Sequence, residues 1–213
     1  NGATDVATLT VTITGTNDLP IAAADTNAIS EDTVTPVTGN LTTNDTDIDA
    51  NDSLTVIDID GVTSAATSVT GAHGSLGWGE NGDYSYSLDN SSAPVQALAI
   101  GETITDVFTY TISDGQGGTS SPTLTVTITG TNDLPTAVAD TATIAEDATA
   151  AVTGDLTAND IDLDTTDVLT VLNVDGQTNE LTDINGDFGT LDWAADGNYS
   201  YNLNNALPAV QAL

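Results

Sequence analysis

Val11-Thr-Ile-Thr-Gly-Thr-Asn-Asp-Leu-Pro20 returns unchanged as Val126 to Pro135. A repeat of this kind decides architecture before any single residue does. With the offset held at about 115 residues, residues 1–98 align on 116–213 without a gap, and about half are identical. Trp78 falls on Trp193, Tyr84 on Tyr199, Tyr86 on Tyr201, and Val95-Gln-Ala-Leu98 on Val210 to Leu213. The frame expected is a C-terminal strand and linker of a preceding repeat over 1–18, a complete repeat over 19–133, and a truncated following repeat over 134–213. The chain does not begin with Met, and it is expected to be a fragment or mature segment of something longer.

Apolar residues alternate with Thr, which is the period of a half-buried strand. Inside the complete repeat, strands are expected at Ile21–Ser30, Val37–Thr43, Leu54–Ile59, Gly74–Trp78, Tyr84–Leu88, Val107–Ile112 and Thr123–Ile128. Turns fall between them, at Glu80-Asn-Gly-Asp83 and Asp114-Gly-Gln-Gly-Gly118 among others. A short helical turn is expected within Ala93–Ile100. Seven or so strands in a unit of this size predict an all-β fold of tandem immunoglobulin-like antiparallel sandwiches.

Composition removes whole function classes. The 213 residues hold no Lys or Arg, 32 acids, one His, no Cys and a net charge of -32. Without a cation the chain cannot neutralise phosphates, so no nucleic-acid partner is expected. Docking to an anionic membrane fails for the same reason, and no apolar run is long enough for direct membrane insertion. Thiol chemistry and disulfides are excluded. The charge and the few aromatics suit a disordered chain, but 38% hydrophobic residues in clean alternation favour a folded one.

Two loops carry the chemistry. Asn44-Asp-Thr-Asp-Ile-Asp-Ala-Asn-Asp52 contains Asp45, Asp47, Asp49 and Asp52, and its copy keeps all four as Asp160, Asp162, Asp164 and Asp167. Crowded carboxylates repel. With no basic residue to relieve them, protons, salt or bound cations remain. Oxygen ligands in excess favour Ca²⁺, with Mg²⁺ second because it demands a stricter octahedron. The competing reading is a solvated acidic loop kept for solubility. The motif is not an EF-hand, since Ala50 and Val56 replace the required Gly and Glu. In a sandwich the loops after the second and sixth strands meet where the chain enters. Asn17, Asp18, Asp45, Asp47 and Asp114 are therefore expected at one pole. Glu31, Asp32 and Glu102 are expected at the other, facing Asn132, Asp133 and the loop from Asp160 onward.

Asn-Asp-x-Asp-x-Asp, the Ser-Asp-Gly-Gln-Gly-Gly turn and the Gly-Thr-Asn-Asp-x-Pro junction resemble the VCBS repeats. Those are cadherin-like modules found in tandem in very large secreted bacterial adhesins, including RTX-type ones. The resemblance implies an extracellular extender at the bacterial cell surface, with neighbouring repeats of the same chain as its partners. It implies Ca²⁺ between domains, with Asn132, Asp133, Glu31, Glu102, Asp160 and Asp162 at positions that match cadherin ligands. The alternative is an adhesive module that binds a glycan or a like repeat on another cell.

The remaining features weigh less. His73 is matched by Phe188, so the repeat does not require it. Alternating aromatics on a hairpin are expected in the core. A glycosidase needs two carboxyls in a cleft, which acids at loop tips do not supply, so no enzymatic activity is expected.

Overall fold

The computed structural model describes residues 1–63, 68–178 and 183–213. The chain divides into one unit of residues 1–90 with 104–128 and another of 91–103 with 129–213.

The first unit is a two-sheet sandwich. Its strands are β1 (Asp25–Ser30), β2 (Val37–Asn40), β3 (Thr55–Ile59), β4 (Val69–Thr70), β5 (Gly74–Trp78), β6 (Asp83–Leu88), β7 (Thr103–Ser113), β8 (Thr119–Ser120) and β9 (Thr123–Thr129). One sheet runs β1-β9-β7-β3, with β8 on β7, and the other β2-β6-β5-β4. The Thr alternation works as a pleat requires. In β9 the side chains of Leu124, Val126 and Ile128 are fully buried while the intervening Thr residues are half-buried. Phe108, Tyr110 and Ile112 do the same in β7. Tyr86 of β6 meets Phe108 edge to face, with ring centroids 6.1 Å apart, and so ties the two sheets together. Trp78 and Tyr84 are buried beside them.

Strand ends differ from the sequence expectation for local reasons. The first strand begins at Asp25 rather than Ile21, because Ile21 instead bridges Thr46. The second ends at Asn40 rather than Thr43. There the Asn40 side chain accepts hydrogen bonds from the Thr42 amide and hydroxyl at 2.9 Å each and turns the chain. The short β4 and β8 were not expected. The helical turn is α1 (Ala93–Gln96), with Pro94 in its first turn. Residues 1–14 form no strand, and Val6, Leu9, Val11 and Ile13 stand exposed.

Among the described residues the second unit holds one sheet, β10 (Val152–Asp155), β13 (Asn198–Leu203), β12 (Gly189–Trp193) and β11 (Ile184–Asn185), in that order. It copies the β2-β6-β5-β4 sheet in register: Val152 faces Tyr201 as Val37 faces Tyr86. Residues 140–145 and 170–173, the counterparts of β1 and most of β3, carry no strand. In the first unit those strands are held by β9 and β7.

Candidate metal centre

The loop after β2 is folded by its own acids. Asp47 Oδ1 accepts the Asp49 amide at 2.9 Å, and the Asp52 amide donates to the Asp49 carbonyl at 3.0 Å. These two turns bring carboxylate oxygens of Asp47, Asp49 and Asp52 within 4.8 Å of one another. The incoming linker is bonded to the same loop, since the Asp18 amide donates to Asp49 Oδ2 at 2.8 Å. Asn17 Nδ2 donates at 2.9 Å to Asp114 Oδ2. Asp114 is buried at the start of the turn after β7, where its other oxygen accepts the amides of Gln116 at 2.7 Å and Gly118 at 2.9 Å. A Cβ on Gly118 would strike the Asp114 carboxylate, so any larger residue there would displace that carboxylate from its bonds.

Electrostatics divide this pole. The Asn17 amide, with the backbone amides after it, holds the Asp114 carboxyl below the usual carboxylate range. Burial and the charges of Asp49, Asp47 and Asp114 push Asp52 up. Asp47 Oδ2 and Asp52 Oδ2 are buried with no hydrogen-bond partner among the described residues. A buried carboxylate oxygen without a partner is costly, and no Lys or Arg exists to meet it. The loop and linker line a cavity of about 350 Å³. An all-oxygen donor set with orphaned carboxylate oxygens fits a hard divalent cation of the Ca²⁺ type.

Asp45 is placed elsewhere. Its Oδ1 accepts the Ala23 amide at 2.8 Å, and it feels the charge of Asp25, whose own carboxylate accepts the Tyr110 hydroxyl at 2.6 Å. Burial raises both Asp25 and Asp45. Asp18 reaches the loop with its amide. Glu31 is buried directly after β1, and Asp32 follows it with φ 62°.

The second unit repeats the loop and adds to it. The Asp133 amide donates to Asp164 Oδ2 at 2.8 Å, as Asp18 does to Asp49. The Asp164 amide donates to Asp162 Oδ1 at 3.0 Å, and the Asp167 amide to the Asp164 carbonyl at 3.0 Å. Asn132 Nδ2 bonds the Asp133 carbonyl. Asp160 departs as Asp45 does, accepting the Val138 amide at 2.7 Å. Asp164 is 1% exposed, and its Oδ1 has no hydrogen-bond partner among the described residues. The addition is Glu102. Its Oε1 accepts the Thr166 hydroxyl at 3.2 Å and its Oε2 the Ala99 amide at 3.2 Å. The Thr165 hydroxyl donates to the Ala97 carbonyl at 3.3 Å. Glu102, Asp133, Asp162, Asp164 and Asp167 thus belong to one connected network.

Sequence reasoning missed the contacts of Thr165, Thr166 and Ala97, which no residue pattern announces. It also missed Asp106, a carboxylate 2% exposed. Asp106 accepts the Ala72 amide at 2.8 Å, the His73 amide at 3.1 Å and the Tyr86 hydroxyl at 2.7 Å. The signal was present, because Asp106 shares the inward parity of Phe108, Tyr110 and Ile112 on β7. His73 contributes its backbone to this buried acid.

Three sheets of alternating strands in two units, with acids gathered where linker meets loop, define a nearly all-β cadherin-like and immunoglobulin-like protein. The family model described as bacterial cadherin-like domain matches residues 17–130, and the chain belongs to that family. The model described as bacterial Ig domain matches 132–209. The calcium-binding lectin RapA2 of Rhizobium johnstonii is 34% identical over 143 residues, which is 63% of this chain and 57% of that protein. The chain therefore spans little more than half the length of that relative. Among solved structures, extracellular cadherin domains 1–4 of protocadherin gamma B7 align over 91% of this chain and 42% of that one. The identity there is 16% and the TM-score 0.47. Mouse protocadherin-24 EC1-3 aligns over 87% and 58%, at 15% identity and TM-score 0.42.

Proposed function

We propose that the chain is a Ca²⁺-binding extender of the VCBS type, part of an extracellular adhesin at a bacterial cell surface. In this reading residues 19–133 form one repeat and 134–213 belong to the next. Glu102, Asn132, Asp133, Asp162, Asp164 and Asp167 hold one junctional site. Asn17, Asp47, Asp49, Asp52 and Asp114 hold its counterpart one repeat earlier. The observation that carries the reading is the recurrence, in both units, of a linker amide bonded to the middle acid of a loop that holds buried carboxylate oxygens without partners, Asp47 Oδ2 and Asp52 Oδ2 in the first and Asp164 Oδ1 in the second. Ca²⁺ would supply the positive charge that the chain lacks and couple linker to loop, so the repeats would act as a stiff spacer rather than as an enzyme.

A second reading has one observation in its favour, the similarity to a relative named as a lectin. An adhesive face for glycans would need exposed aromatics. Trp78 and Trp193 are 6% and 5% exposed, which suits the spacer better.

Thermal melts in high NaCl, with chelator, with Mg²⁺ and with Ca²⁺, test the proposal. High salt screens general repulsion and leaves specific sites visible. Ca²⁺ at about 100-fold its dissociation constant should add about 2.7 kcal/mol. Equal melting temperatures under all four conditions would overturn the metal site.

A further inference from the structure

Three stretches of the second unit are bonded around Glu102: the turn 97–102 after α1, the linker 130–133 and the acid loop 162–167. The turn is closed on itself. The Glu102 amide donates to the Ala99 carbonyl at 2.9 Å, and the Ala99 amide donates to Glu102 Oε2 at 3.2 Å. The Gly130 amide fastens the linker to this turn, donating to the Glu102 carbonyl at 2.9 Å. A Cβ on Gly130 would strike the Leu98 and Ala99 carbonyls, so linker and turn touch backbone to backbone.

Two hydroxyls fasten the loop to the same turn. Thr166 donates to Glu102 Oε1 at 3.2 Å, and Thr165 donates to the Ala97 carbonyl at 3.3 Å. Ala97 ends α1, where a helix leaves carbonyls without internal partners. Glu102 is exposed, and a free Glu side chain samples many rotamers. Here each carboxylate oxygen accepts one bond, which fixes where the group points. A carboxylate has about four lone-pair sites, so two bonds leave room for a cation. The same loop holds Asp164, 1% exposed, whose Oδ2 accepts the Asp133 amide while Oδ1 has no hydrogen-bond partner among the described residues. Without a cation these carboxylates repel, and a long exposed side chain is free to swing away. The hydroxyls oppose that swing.

We propose that Thr165 and Thr166 are positioning residues for the cation site of the second unit. They hold Glu102 in place before the ion arrives, and this preorganisation raises the affinity of the site. The inference rests on the Ca²⁺ reading above and adds to it two residues that do not touch the ion. The first loop carries Ala50 and Asn51 at the matching positions. The hydroxyl clamp therefore belongs to the second loop, and the first serves as an internal control.

The test is a Ca²⁺ titration of the 213-residue chain followed by NMR, with the Asp49 and Asp164 amides read separately. Thr166→Val keeps the side-chain shape and removes the hydroxyl, whereas Thr166→Ser keeps the hydroxyl. Thr165 and Thr166 are both exposed, so the core is undisturbed. Thr166→Val should weaken Ca²⁺ binding at the Asp164 loop by about tenfold and leave the Asp49 loop unchanged. Thr166→Ser should bind as the wild type does, and Thr165→Val should act in the same direction as Thr166→Val. In chelator, hydrogen exchange at the Ala99 amide should quicken in Thr166→Val, because the carboxylate it donates to is no longer held. A wild-type Ca²⁺ response that Thr166→Val leaves unchanged overturns this inference alone, and so does a Ser variant that behaves like Val. Silence of the Asp164 loop in the wild type overturns it too, and silence of both loops overturns the Ca²⁺ reading with it.

Discussion

Asn17 Nδ2 lies 2.9 Å from Asp114 Oδ2, so the linker before the first strand is bonded to the turn after β7. This amide is the foremost cause of Asp114's depressed carboxyl pKa. A carboxyl depressed in the fold contributes stability above its ordinary value of 3.8, and that stability is lost as pH falls through the folded value. Asn17→Ala should therefore flatten the acid side of the stability curve in chelator. Melting temperature against pH, with the Asp114 titration followed by NMR, checks this. An unchanged titration would mean that the backbone amides of Gln116 and Gly118 suffice.

Asp52 and Asp45 lie in one loop but face different neighbours, and two substitutions should separate them. Asp52→Asn removes a charge whose Oδ2 is buried without a partner and leaves the Asp18–Asp49 bond intact. Without divalent cations it should raise the melting temperature by relieving repulsion from Asp47 and Asp49. With Ca²⁺ it should weaken binding by about tenfold, or about 1.4 kcal/mol. Asp45→Asn should alter stability and leave Ca²⁺ affinity unchanged, because Asp45 lies outside the Asp47, Asp49 and Asp52 cluster, although its Oδ2 is likewise buried without a partner. Calorimetric titration of both variants reads the difference.

A cross-strand pair is inverted between the repeats. Asn40 faces Asp83 and donates to it at 2.9 Å, whereas Asp155 faces Asn198. Either way the pair holds one amide and one carboxylate. Asn40→Asp would set two carboxylates opposite each other and remove the donor that lowers Asp83. This should cost stability. Asp83→Asn in the same chain should recover most of it, and a double-mutant cycle by denaturant unfolding measures the coupling.

The buried Asp106 is held by two backbone amides and the Tyr86 hydroxyl. Asp106→Leu would strand all three donors and should cost at least about 2 kcal/mol. Tyr86→Phe removes a single donor and should cost about 1–2 kcal/mol. Burial and the Asp106 charge raise the Tyr86 hydroxyl well above its ordinary value of 10. Its stabilising contribution is therefore complete below that value and is lost as pH rises through the folded one. Alkaline titration by ultraviolet absorbance should show Tyr86 ionising only together with unfolding.

The strands were legible because one face of each is buried, and burial writes itself into alternation. β9 is the plainest case, three apolar residues inward and Thr between them. The acid loops were legible as loops, but their division of labour was not. Asp45 and Asp47 are two residues apart and chemically identical. What separates them is which backbone amide each accepts, Ala23 for one and Asp49 for the other. Backbone donors have no letter in a sequence. Residues 1–14 show the converse limit. The alternation at residues 8–14 is that of β9, yet no strand forms there, because a strand needs a neighbour as well as a pattern.

β1 and β9, the first and last strands of the complete sandwich, lie side by side in one sheet. A pull delivered through the two linkers therefore arrives on adjacent strands, and the ladder between them bears the tension before the opposite sheet is loaded. On the entry side the load meets the Asn17–Asp114 and Asp18–Asp49 bonds before it reaches β1. One of these bonds is solvent-facing and the other part-buried, and both lie ahead of the ladder, so under tension they would yield first and lengthen the linker while the sandwich stays closed.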